Sequence, residues 1–195
     1  MPNVAPLRRE DLPDHEPTFQ MVEGAMGFVP RSLLTMARRP ELLDAFSRLA
    51  ATVQTSDRID PALGQLVAMV ASRAAGCRYC QAHTGSTATR RGVPQEKVAA
   101  VWEFESSDLF TDAERAALRL ARDAAQVPNA TTPTHFEDLR VHYDDRQIVD
   151  LVAIISLFGW LNRWNDTMAT ELEDEPLGFA EATLGDGGWE PGKHA

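Results

Sequence analysis

Helix punctuation recurs along the whole chain and leaves little room for strands. Pro40, Asp60-Pro61, Pro94 and Thr111-Asp112-Ala113-Glu114 each open a stretch with apolar residues at three- and four-residue spacing. Asp60 is a capping residue followed by a proline in the first turn, and Thr111 with Glu114 makes a capping box. No segment alternates apolar and polar residues between turn dipeptides, the pattern of a half-buried strand. The chain is therefore expected to be all-α, a helical bundle.

The helices place themselves between these marks. Residues 1–17 carry Pro2, Pro6, Pro13 and Pro17 and read as an extended N-terminal arm lying over another element. Short helices are expected over Phe19–Gly27 and Arg31–Arg38, then a longer one from Pro40 through Leu42, Leu43, Phe46, Leu49 and Val53. Asp60-Pro61 opens a helix to Gly76, and a second runs from about Arg78 to Arg91, where Gly92 is a good stop. Pro94 starts a further helix, residues 111–126 another, and Thr134–Tyr143 a short one. The apolar stretch 145–172 reads as two helices broken near Gly159 or Asn162, residues 176–195 as a C-terminal tail, and Gly185–Trp189 within it as loop-like.

A faint internal repeat sets Gln65-Leu66-Val67-Ala68-Met69-Val70 against Asp150-Leu151-Val152-Ala153-Ile154-Ile155. In that register Cys77-Arg78-Tyr79-Cys80 falls opposite Asn162-Arg163-Trp164-Asn165, which leaves an internal duplication of a helix-turn-helix unit open.

A chain of 195 residues fits one domain spanning 1–195 with a substantial core. Its net charge of −10 argues against nucleic acid or an anionic membrane as partner, since both select basic patches. No run approaches the ~18 apolar residues of a membrane span. The N-terminus lacks the basic and apolar blocks of a signal peptide. The expectation is a cytoplasmic protein, where a disulfide would be catalytic or redox-sensing.

The only two cysteines lie in Cys77-Arg78-Tyr79-Cys80, with His83 three residues on. On a helix all three share one face. First-turn amides and the helix dipole stabilise a thiolate and lower its pKa, and Arg73 and Arg78 are candidates to add positive potential. A thiolate that attacks a peroxide becomes a sulfenic acid, which a second thiol in reach condenses to a disulfide.

Two other readings compete. Structural zinc wants four ligands; there is no third cysteine, so His83 with a distant His135 or His142 would have to complete the set. Two buried, inert cysteines are also a common arrangement. A thioredoxin-type motif would need a preceding strand, and here a helix precedes.

The stretch from Gln65 to Thr84, with its Gly76-Cys77-Arg78-Tyr79-Cys80 core, resembles the signature of the alkylhydroperoxidase D / carboxymuconolactone decarboxylase family. Asp112-Ala113-Glu114-Arg115-Ala116-Ala117-Leu118 is similar to its peroxidase-related members. The resemblance covers roughly residues 40–172. It implies an AhpD-like helical bundle, a homo-oligomer, and no metal or organic cofactor. It assigns Cys80 as the cysteine that attacks peroxide, Cys77 as the one that resolves the sulfenic acid and meets an external thiol reductant, and His83 as the proton relay. Many members place the histidine four residues after the second cysteine rather than three. Many also carry a glutamate twelve residues before the first cysteine, where this chain has Gln65, an amide that cannot act as a base. Asp57, Asp60 and Glu103 are the carboxylates considered as substitutes, and the Glu171-Leu172-Glu173-Asp174-Glu175 run reads as a solvated helix end. The four tryptophans read as core or interface anchors, and His15 and His194 fall in terminal arms.

The expected function is a thiol-dependent oxidoreductase acting on a hydroperoxide or other small molecule, with a thiol or disulfide reductant. A lyase acting on a small anionic lactone, as in the decarboxylase branch, and a non-catalytic redox sensor are the alternatives.

Overall fold

The computed structural model describes residues 1–195 in full and contains helices only. Ten α-helices follow in order: α1 (Glu16–Met26), α2 (Arg31–Met36), α3 (Pro40–Gln54), α4 (Pro61–Ala74), α5 (Arg78–Arg90), α6 (Gln95–Ala99), α7 (Asp112–Ala124), α8 (Pro133–Arg140), α9 (Asp145–Met168) and α10 (Asp174–Leu184). The local signals work as the sequence implies. Asp60 Oδ1 accepts the Ala62 amide at 2.7 Å, and Thr111 with Glu114 closes a reciprocal capping box at the start of α7. Asp144 and Gln147 make a second box that starts α9.

Around α4 the packing is densest. Residues Leu66–Ala71 of this helix are buried on every side, enclosed by α5, α7 and α9. A helix apolar all round can only be central. The main core gathers there, with Leu118 and Leu120 of α7, Leu151 and Ile155 of α9, and Phe104 and Phe110 from the connecting loop. A smaller core joins Phe19, Met36, Leu43 and Phe46 to Leu157, so α9 is the wall common to both.

The N-terminal arm does lie over other elements. Leu12 is buried, the Leu7 amide donates to Leu34 O, and the Asn3 amide donates to Met168 O at the end of α9. Helix α1 begins at Glu16, so Pro17 occupies its first turn rather than the arm.

Two expectations need correction. Residues 145–168 form one uninterrupted helix, because Gly159 sits in open space within it and Asn162 is held at a buried helical position. The break comes later, at Ala169, whose left-handed φ of 49° caps α9 and turns the chain toward α10. The C-terminal tail is in large part helical. Helix α10 packs along α5, and short 3-10 turns at Gly185–Gly187 and Gly192–His194 bring Trp189 and His194 into buried positions. No helix is long and apolar enough to cross a membrane.

Candidate active site

Gly76, with φ of +78°, ends the link from α4 and turns the chain so that Cys77 becomes the N-cap of α5. Cys77 Sγ accepts the Cys80 amide at 3.4 Å. Both cysteines are free thiols and both are buried, at 0% and 2% exposure. The free donor of the helix end thus serves Cys77. Cys80 receives a different donor, Asn165 Nδ2 of α9, at 3.5 Å.

Burial pushes the Cys80 thiol well above its ordinary pKa, and the adjoining Cys77 adds to the rise, while the Asn165 hydrogen bond opposes it. This reverses the expectation that the helix end would lower the thiol: desolvation outweighs the dipole. Arg73 and Arg78 do not supply the missing charge. Arg73 lies over the Trp102 ring at 4.9 Å, and Arg78 donates to Gly188 O.

His83 stands one turn further along α5 in a narrow slot. Its ring stacks on Tyr79 with centroids 4.1 Å apart and meets the edge of Phe28 at 5.2 Å. Nε2 lies 2.6 Å from Glu173 Oε2. Tyr79 OH donates to Glu173 Oε1 at 3.0 Å, and the Arg31 amide donates to the same oxygen at 2.6 Å. Burial by itself would raise Glu173, but the His83 hydrogen bond and charge and the Arg31 amide hold it below the ordinary glutamate range. Tyr79, buried and beside this carboxylate, is pushed well above the usual tyrosine value.

Glu173 is therefore the carboxylate beside His83, and sequence reasoning placed it among solvated residues. Asp57, Asp60 and Glu103 do not reach the histidine. Glu173 is delivered by the turn that follows α9 and forms the N-cap of α10. That turn is pinned from two sides: Arg31 Nη1 donates to Leu172 O, and the Leu172 amide donates to His194 O. His194, assigned to a terminal arm, is 1% exposed behind Tyr79, with Nδ1 2.8 Å from Thr170 O. Burial lowers its pKa. Alternation was the available signal for Glu173. Leu172 is apolar between two acids, and Asp174-Glu175-Pro176 reads as a helix first turn, which makes residue 173 its cap.

Gln65 is not brought to this group. Its side chain lines a separate small pocket of about 20 Å³ with Asp60, Arg91, Ile154 and Phe158, and no hydrogen bond links it to His83 or to either thiol. Phe158, which lines the same pocket, lies seven residues, roughly 10 Å of helix, before Asn165, the residue at Cys80. Of the four residues singled out by sequence, Cys77 and Cys80 touch, His83 follows one turn on along α5, and Gln65 hydrogen-bonds to none of them. His135 closes a cap with Thr132 and pairs with Asp123 at 2.8 Å, away from the site. Nowhere do three or more His, Cys, Asp or Glu side chains gather as a metal would require.

An all-α protein with a buried dithiol at a helix start and a His–Glu pair one turn on is the class defined so far. The carboxymuconolactone decarboxylase family profile matches residues 40–123. Over 92% of this chain and 96% of the other, the structure is similar to the debrominase Bmp8 in complex with 2,3,4-tribromopyrrole, at 37% identity and a TM-score of 0.88. An alkylhydroperoxidase AhpD core protein of Ralstonia eutropha JMP134, a peroxidase-related protein, shares the fold at 23% identity and a TM-score of 0.80 over 92% of this chain and 95% of that one. An uncharacterized protein of Bacillus subtilis, YdfG, is 29% identical over 102 residues, 52% of this chain and 67% of its own. The chain belongs to the carboxymuconolactone decarboxylase family and has the AhpD-like fold.

Proposed function

We propose that this protein is a dithiol-dependent reductase of small organic molecules, in which Cys80 takes an electrophilic atom from the substrate and Cys77 closes a disulfide with it. The observation that carries this reading is the buried line Cys77, Cys80 and His83 with Glu173 held 2.6 Å from His83 Nε2. A structural cysteine pair would be lined by carbon. Here the neighbours are an amide aimed at the sulfur and a histidine–carboxylate pair able to receive a proton.

With a hydroperoxide, the Cys80 thiolate attacks the terminal oxygen and the O–O bond breaks to release an alcohol. The sulfenic acid then condenses with the Cys77 thiol, releasing water and forming the Cys77–Cys80 disulfide. An external dithiol reopens it. In this reading His83, three residues along the helix from Cys80 and backed by Glu173, takes the Cys80 proton and returns it to the leaving oxygen. The raised Cys80 pKa makes that base necessary, since the thiol does not ionise unaided near neutral pH.

A second substrate is favoured by the 37% identity to a debrominase over 92% of the chain. The same pair would reduce a halogenated aromatic ring. Cys80 attacks the halogen, the ring carbon takes a proton, and Cys77 displaces halide to give the same disulfide. Each turnover oxidises two thiols and reduces one carbon–halogen bond. The anionic-lactone lyase fits less well, because no lysine or arginine side chain hydrogen-bonds to the thiols or His83, and the carboxylate present would repel an anion.

Thiol counting after titration with a hydroperoxide or a bromopyrrole, with mass spectrometry of the product, tests the reading. Loss of two thiols to a Cys77–Cys80 bond with catalytic turnover is expected, and Cys80→Ser should abolish it. Thiol loss without turnover would make the protein a redox sensor. Substrate consumption that survives Cys80→Ser would sink the mechanism.

A further inference from the structure

The amides of α9 are not explained by thiol chemistry. Asn162 is 3% exposed, yet neither its Nδ2 nor its Oδ1 has a partner. Asn165 is 1% exposed, donates to Cys80 Sγ and leaves its Oδ1 unpartnered. Buried polar atoms are almost always hydrogen-bonded, and each exception destabilises the fold. Residues three apart on a helix are neighbours, so these three orphaned atoms lie on one face, with Asn165 touching the sulfur. One or two turns earlier the same face is filled with carbon, by Ile154, Ile155 and Phe158. The amides are thus confined to the stretch beside Cys80. Trp164 Nε1 is also unpartnered, but that ring stacks on Trp160 and packs with the smaller core.

The charge and shape of the surroundings restrict what could satisfy these atoms. The carboxylate in the site itself is Glu173 at His83; Asp166, whose charge is felt at Cys80, is paired with Lys193 at 2.7 Å. Two orphaned carbonyl oxygens near that carboxylate call for a neutral ligand that donates a hydrogen bond. Tyr79, His83 and Phe28, packed on one another, make the wall beside the thiols aromatic. A hydroperoxide can donate only through the group that reacts. A ring N–H donates through an atom that the reduction leaves intact.

We propose that Asn162 and Asn165 are substrate-binding residues that hold a small neutral N–H heteroaromatic molecule against Cys80 by accepting its ring N–H. The free Asn162 NH2 remains to meet an electronegative ring substituent. The assignment rests on the dithiol reading only for the fate of the molecule once bound.

Binding of 2,3,4-tribromopyrrole and of its N-methyl counterpart to the full-length Cys80→Ser protein, followed by calorimetry, tests it without turnover. The N–H compound should bind about tenfold more tightly than the N-methyl compound, the worth of one buried hydrogen bond. Asn162→Leu on the same background should erase that preference, with the larger loss of affinity falling on the N–H compound. Equal binding of the two compounds, no binding of the N–H compound, or a preference that survives Asn162→Leu would overturn the assignment. The comparison of the two compounds needs no change at Asn162, so a poorly folded variant does not shield it. A preference for N–H without thiol oxidation in the parent protein would defeat the dithiol reading alone. Thiol-dependent turnover without that preference would defeat this assignment alone.

Discussion

The segments 61–90 and 145–168 share an apolar register, and the residues that align across it meet in space: Cys80 faces Asn165, 85 positions later. Their shapes differ. The first turns at Gly76 and starts a new helix, so a free backbone N–H is available to a sulfur. The second runs straight through the equivalent position, Leu161, so every amide there is spent within the helix and polar work falls to side chains. Only at Ala169 does it turn, and the turn delivers Glu173. One segment presents nucleophiles at a helix start. The other presents amides from a helix middle and a carboxylate from just past its end.

Removing what the second segment delivers should have the largest effect. Glu173→Ala leaves His83, the Tyr79 hydroxyl and the Arg31 amide buried without their acceptor. We expect a loss of about 3 kcal/mol, a fall in Tm of roughly 6–12 °C by calorimetry, and loss of most thiol turnover. Glu173→Gln separates charge from shape. The Glu173 pKa is depressed in the fold, so its contribution is complete above the ordinary glutamate range and is lost as pH falls through the depressed value. The stability gap between the parent and Glu173→Gln should therefore close on acidification below that range. A gap that stays constant would mean that the His83–Glu173 contact carries no net charge interaction.

Next comes the turn of the first segment. Gly76 has φ of +78°, a conformation that costs a side-chain-bearing residue about 1 kcal/mol, although no neighbouring atom crowds the site. Gly76→Ala should lower stability by about that amount. If the turn relaxes, Cys77 also loses its place at the cap, and disulfide closure slows. An unchanged denaturation midpoint would show that the cap does not depend on left-handed geometry here.

Much of this frame was legible in sequence, and the reason is local. Asp60-Pro61, Thr111 with Glu114, and Gly76-Cys77 act through neighbours within four residues, so their letters predict their geometry. Cys77, Cys80 and His83 sharing one face follows from helix periodicity alone. Beyond its place as a helix cap, the role of Glu173 is not legible in sequence, because it depends on α2 and α5 folding against it. Helix α9 was misread as two, since a glycine and an asparagine inside an apolar run look like a break until packing holds them. The depressed thiol pKa expected from a helix start failed for a similar reason: burial is a tertiary quantity.

A smaller effect is expected at the contact between the two segments. Asn165 is the group that lowers the Cys80 pKa against burial, so Asn165→Leu should raise it further. Alkylation of Cys80 near about pH 8 should slow by roughly three- to tenfold, with the rate still climbing at higher pH. Stability should change little, because the variant also removes an unpartnered carbonyl oxygen. A faster alkylation rate would mean that the amide shields the sulfur rather than stabilising its anion.

The smallest effect belongs to Gln65, the position where a relay carboxylate was expected. In this fold it lines a pocket with Asp60, Arg91 and Phe158. Gln65 makes no hydrogen bond to His83, while Glu173 already holds it. Proton transfer needs hydrogen-bond reach or a single bridging water, and Gln65→Glu supplies neither to His83. Its thiol oxidation rate should stay within about twofold of the parent, because the added carboxylate has no hydrogen-bonded route to His83 or to either thiol. A tenfold rise on Gln65→Glu, above all in the Glu173→Gln background, would place the relay back on α4 and reduce Glu173 to a support for the histidine.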